Sequence, residues 1–242
     1  LPGRPHGKRS ATPRRSPSRR LRPPNRLGRH ERILGGLRRS VPTTSAMRAG
    51  RRAVSDAVVL VEGESDRRVL ALVAERLGVD LAAADVRVVV LDGITNLRRA
   101  VAAEPAGIHV FGLYDGAEQR QVSRMLAEAG RPTADDAAGL EALGYYACTL
   151  DLEDELIRAA GPEAVVAAIA AAGELGKLRS FQRQPAQRGR PIEAQLHRFA
   201  GTAAGRKHRF GASIVAGLPL ADIPSPIRRL FHALQADREP AR

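Results

Sequence analysis

The stretch Ala57-Val58-Val59-Leu60-Val61-Glu62-Gly63-Glu64-Ser65-Asp66 decides the fold. Five consecutive apolar residues suit a strand buried on both faces. The run stops at Glu62, a carboxylate that is costly at the end of an apolar strand unless something partners it. Gly63 lets the backbone turn closely there. Over 64–77 the apolar residues Val69, Leu70, Leu72, Val73 and Leu77 recur as one helical stripe, which Gly78 closes. Asp66 falls in the first helical turn and can point back to the edge that Glu62 occupies.

The same unit recurs downstream. Strands are predicted over 86–91, 108–113 and 145–150, with helices over 96–102 and 117–129. Strands alternating with helices imply right-handed crossovers and a mainly parallel sheet, so the fold class is α/β with flanking helices. Ligands in such folds bind beyond the carboxyl ends of the strands. Glu62, Asp115 and the acidic run from Asp151 to Asp154 stand at three of those ends, and Asp92 follows the other. Beyond Ile157 the pattern turns helical, over 163–172, 192–199, 206–216 and 226–234, with a polar loop over 182–191. The expected plan is a basic tail over 1–52, an α/β domain over 53–160 and a helical C-terminal extension over 161–242.

Composition narrows the class. Among the 242 residues, 43% are hydrophobic, enough for a core, so wholesale disorder is excluded. No apolar run reaches the roughly 20 residues of a membrane helix, and no membrane partner is expected. Cys148 is the single cysteine, which excludes an internal disulfide framework and a Cys-clustered zinc site; a reducing cytoplasm is the simplest home. The net charge of +13 is localised: residues 1–46 hold thirteen cations against Glu31, leaving 26 cations and 25 anions for the rest. The tail is expected to be disordered. It reads as a phosphate-binding arm, as an organellar transit peptide or, the preferred reading, as the product of a misassigned start, with Met47 as the natural one.

Carboxylates gathered at one edge repel one another and call for a cation. Oxygen donors without His or Cys favour Mg²⁺ or Mn²⁺ over zinc. Taken singly, Asp66 is equally well explained as a partner of its helix dipole, and Glu153 and Asp154 as the acidic first turn of a helix. Glu62 has no such simple explanation.

From Leu60 to Asp66, with Leu113-Tyr114-Asp115 and Leu152-Glu153-Asp154-Glu155-Leu156 downstream, the sequence resembles a TOPRIM domain, and within that fold the OLD (overcoming lysogenization defect) nucleases. The resemblance spans about Val58 to Val215. It implies a Rossmann-like TOPRIM sheet and a metal-dependent nuclease acting on DNA, an endonuclease or nickase. It implies that Glu62, Asp66, Asp115 and Glu153 hold two divalent cations, Mg²⁺ or Mn²⁺, with Glu62 and Lys207 catalytic. The family's usual Asp-x-Asp is here Asp115-Gly116-Ala117; Ala117 cannot bind a cation, and Glu118 is the residue expected to replace it. OLD proteins carry an ATPase domain ahead of the TOPRIM, and no phosphate-binding Gly-x-x-x-x-Gly-Lys-Ser/Thr loop occurs here. The expectation is therefore a standalone TOPRIM without an ATP site, served by a separate ATPase, with a homodimer left open. Arg183, Arg188, Arg206 and Arg209 are expected to track a nucleic-acid backbone, a solvated surface being the plainer explanation.

Two other functions compete. A TOPRIM that has lost one cation position at Ala117 would be a non-catalytic module binding nucleic acid or a DNA-repair or phage-defence partner. A phosphate-signalling receiver or phosphatase shares the doubly wound fold, but would place a nucleophilic Asp where this chain has Glu62.

Overall fold

A computed structural model describes residues 57–203 and 205–237. The tail over 1–52 and the start at Met47 lie outside the described residues. The sheet has four strands, β1 (Ala57–Val61), β2 (Val86–Val90), β3 (His109–Asp115) and β4 (Tyr145–Cys148), in the order β2-β1-β3-β4. Every pairing is parallel, as the alternation of elements requires. Val59 sits between Val88 and Phe111, and Asp115 lies beside Cys148. All five residues of β1 are buried, which explains why its run is apolar rather than alternating.

Residues of β1 feed two cores, one on each face. Val59 and Val61 pack with α1 (Glu64–Arg76) and with the C-terminal helices through Val69, Leu156, Phe199, Ile214 and Leu230. Val58 and Leu60 pack on the other face with α2 (Leu97–Ala103), α3 (Gln119–Glu128) and α4 (Ala137–Ala142) through Leu97, Val101, Leu126 and Leu140. Each such side chain contributes roughly 1.5–3 kcal/mol of burial. The chain leaves β1 over one face and β3 over the other. The crevice between their ends is therefore the sheet's switch point.

Six helices follow β4: α5 (Leu152–Ala160), α6 (Pro162–Ala171), α7 (Leu175–Gln182), α8 (Ile192–Ala200), α9 (Arg206–Gly217) and α10 (Ser225–Ala236). They form the helical extension expected from the sequence. The loop expected over 182–191 holds the last residue of α7 and a short turn, Pro185–Gln187. Neither α4 nor α7 was legible. The first is six residues of mostly Ala and Gly, started by Asp136, which accepts a 2.7 Å hydrogen bond from the Gly139 amide. Strand β4 ends at Cys148 rather than at 150, because Thr149 and Leu150 turn outward before Asp151 starts α5.

Two close approaches set the spacing around the strand ends. A Cβ on Gly116 would stand 2.7 Å from the carbonyl oxygens of both Cys148 and Thr149. A Cβ on Gly211, in α9, would stand 2.9 Å from Cγ2 of Val69 in α1. Backbone therefore packs against a neighbouring element at both points.

Candidate metal centre

Past the carboxyl ends of β1 and β3 lies a cleft of about 320 Å³. It is lined by Glu62, Asp66, Asp92, Asp115, Asp151 and Glu153, with Lys207 the cation among them. A larger groove of about 600 Å³ runs between α4 and α10, past Tyr146, Arg229 and His232, but no carboxylates converge there.

Glu62 follows β1, Asp115 ends β3, and Glu118 closes the tight turn Gly116–Glu118. Strand register brings the first two alongside, and the turn folds the third back. One oxygen from each lies within 4.8 Å of the others. Burial first, then the charge of Glu62 and next that of Asp151, pushes the Asp115 carboxyl up to about 7. Burial and Glu62 push Glu118 up as well. Its Oε2 is buried and has no hydrogen-bond partner among the described residues. Glu118 therefore joins the cluster, while Ala117 between them is exposed and lines nothing.

Asp66 meets both of its sequence explanations. Its Oδ2 accepts the Gly63 amide at 2.9 Å, as a residue at a helix start should, and it lines the cleft. Burial pushes its carboxyl up to about 6, partly offset by that amide and reinforced by Glu153 and Glu62.

The opposite wall comes from α5, α8 and α9, and its carboxylates are paired. Glu153, only 5% exposed, accepts from Lys207 Nζ at 3.2 Å. Burial disfavours the Lys207 ammonium, but Glu153 outweighs it and holds the group above its ordinary value. Asp151 caps α5, its Oδ1 accepting the Asp154 amide at 2.9 Å, while its Oδ2 lies 2.6 Å from His197 Nε2. Burial disfavours ionised Asp151, yet His197 and the Asp154 amide together hold its carboxyl below the usual range. The His197 ring is raised in turn, chiefly by that hydrogen bond. Glu155 accepts the Thr149 amide at 2.7 Å and pairs with Arg158 at 2.6 Å.

The expected phosphate-tracking arginines divide. Arg183, Arg188 and Arg209 are exposed. Arg206 is not available to a phosphate backbone, which corrects the sequence expectation. It is 7% exposed, pairs with Glu174 at 2.9 Å, stacks 4.2 Å over the Phe199 ring and donates to the Phe199 carbonyl and Thr202 hydroxyl. Cys148 is core, as expected, and burial pushes its thiol up. Three cleft-side residues escaped the sequence site assignment. Asp92 and Asp151 were visible as acids at strand ends. The side chain of His197 meets Asp151 across 46 residues, and nothing local signals that contact.

Residues 54–116 match the family model for the overcoming lysogenization defect protein-like TOPRIM domain. The chain carries an OLD-like TOPRIM domain. Solved structures agree with this OLD-like fold. The C-terminal region of the Xanthomonas campestris pv. campestris OLD protein, phased with mercury, is 26% identical with a TM-score of 0.56, over 76% of this chain and 96% of that one. The same region phased with platinum is 24% identical with a TM-score of 0.57, over 76% and 94%. The C-terminal region of the Burkholderia pseudomallei OLD protein is 20% identical with a TM-score of 0.54, over 75% and 98%. No curated protein matches the chain. Among the described residues, no helix is long and apolar enough to cross a membrane.

The oxygen-only cluster of this OLD-like domain fits a hard divalent cation. Three carboxylates converge, two of them held above their ordinary range, and one buried oxygen lacks a donor. A cation there would relieve the repulsion and satisfy the orphaned oxygen together.

Proposed function

We propose that the protein is a Mg²⁺- or Mn²⁺-dependent nuclease that cuts or nicks DNA. The observation that carries this reading is the convergence of Glu62, Asp115 and Glu118 at the switch point, with the Glu118 Oε2 unpartnered. When bound, a divalent cation supplies a Lewis acid for phosphodiester oxygens. Glu62, Asp115 and Glu118 hold it, and Asp66 and Glu153 extend the oxygen set along the cleft floor. Lys207 stands ready to stabilise the negative charge that develops on the reacting phosphate. Its pairing with Glu153 keeps the ammonium at the cleft rather than in solvent. Arg183, Arg188 and Arg209 are the cations proposed to position the nucleic-acid backbone. Coupling to an ATPase belongs to the same proposal.

The competing reading, a binding module without chemistry, draws on Ala117. Nicking of supercoiled plasmid with and without Mn²⁺ tests the pair. Wild-type protein should nick only with the cation, and Mn²⁺ should raise its melting temperature by mass action. Glu62→Gln should remove both effects, with a cleavage loss on the order of a hundredfold or more, and leave the metal-free melting temperature in place. Nicking that survives Glu62→Gln would overturn the assignment of the site. Nucleic-acid binding with no nicking in either protein would leave the binding module.

A further inference from the structure

We infer that Asp151 is a cation ligand contributed by the α5 wall, and that His197 is the residue that positions it. This rests on the metal-dependent reading above and adds a donor from a different element. The Glu62, Asp115 and Glu118 cluster belongs wholly to the β1 and β3 side of the cleft. A second cation needs oxygens from the facing wall, and Ala117 does not line the cleft. There Glu153 is already neutralised by Lys207. Asp151 lines the same cleft, and its charge is felt at Asp115 across it.

The geometry of Asp151 exceeds what a helix cap needs. Its Oδ1 accepts the Asp154 amide, which is sufficient for capping. Its Oδ2 is fixed separately by the imidazole of His197, brought in from α8. Each carboxylate oxygen accepts one bond here and has a further lone pair available. Both oxygens are thus held without being exhausted. A carboxylate tethered by an imidazole is the arrangement that orients metal ligands from outside the coordination sphere. His197 is absent from the cleft lining, so it acts through Asp151 and not on the substrate.

Titration with Mn²⁺ alone, following the free ion by electron paramagnetic resonance, reads this without any catalysis. Wild-type protein should bind about two ions per chain. Asp151→Asn preserves the cap, since Asn serves there as well as Asp, and should weaken one class about tenfold or more while the other persists. His197→Ala should weaken the same class by about tenfold. His197→Gln, which can still donate to Asp151, should restore most of the loss. Melting in EDTA reports the fold of each variant separately from its ion binding. Wild-type Mn²⁺ binding in Asp151→Asn would overturn the inference and leave the nuclease reading standing, as would a His197→Gln variant no better than His197→Ala. If Glu62→Gln leaves every class of ion intact, the metal-dependent reading itself falls.

Discussion

The two walls of the cleft carry similar numbers of carboxylates and treat them in opposite ways. On the β1 and β3 side, Glu62, Asp115 and Glu118 face one another with no cation from the chain. On the α5 side, Glu153 has Lys207, Asp151 has His197 and Glu155 has Arg158. The first wall is electrostatically incomplete, and the second is complete as folded. Folding around unpaired like charges costs stability, so the incomplete wall is where an external cation gains most. The complete wall holds its geometry whether or not an ion is present.

The sharpest way to break this contrast is to unpair the complete wall. Lys207→Met removes the ammonium and leaves Glu153 buried without its counter-charge. Cleavage should fall on the order of a hundredfold, as for loss of one transition-state donor. The destabilisation should be about 1–2 kcal/mol, below that of a fully buried pair because Lys207 is itself half exposed. Single-turnover plasmid nicking and thermal melts measure the two separately. A melting loss without any change in nicking would confine Lys207 to a structural role.

Acidity distinguishes the walls more gently. Asp66 and Asp115 have folded pKa values of about 6 and about 7, above their ordinary 3.8. In that interval the native state holds more protons than the unfolded chain, so metal-free stability must fall as pH rises. His197, raised above 6.5, works in the same direction. Asp151, lowered, loses its contribution only in more acidic solution. The melting temperature in EDTA should therefore drop by a few degrees between pH 6 and pH 8, and Mg²⁺ should flatten or reverse the slope. A metal-free melting temperature that rises over this range would contradict the unpaired wall.

The smallest effect is expected at position 117. Ala117→Asp adds a carboxylate to an exposed site beside a cluster that Glu118 already completes. Metal-free stability should change by no more than about 0.5 kcal/mol, and Mn²⁺-dependent nicking by less than about threefold, whereas Glu118→Gln should reduce nicking by about tenfold. A large gain from Ala117→Asp with no loss from Glu118→Gln would show that Glu118 does not stand in.

The legibility of the molecule follows the same division. Glu62, Asp66 and Asp115 could be read because each sits at a strand end or in the first turn after one, and five apolar residues locate that strand. Glu118 was legible only as a substitute for Ala117. The α5 wall was half hidden. Glu153 was visible in its acidic run, but Lys207 meets it across 54 residues and His197 meets Asp151 across 46. Such pairings depend on how α8 and α9 pack, which periodicity does not specify. Arg206 shows the reverse error. Beside Lys207 it reads as another surface cation, but one helical step turns it inward onto Phe199 and Glu174.

Gly211 gives the cleft a gauge. It lies one helical turn beyond Lys207 on α9, and the residue it touches, Val69, lies three positions after Asp66 on α1. The interval between the ammonium and the carboxylates of the first wall is thus fixed by the absence of a single methyl group. Any side chain at 211 would act as a shim between the two helices, lifting Lys207 off its seat while leaving every carboxylate in the sequence unchanged. The working dimension of the cleft is set at a contact that contains no reactive atom, where a search confined to acids and bases would never look.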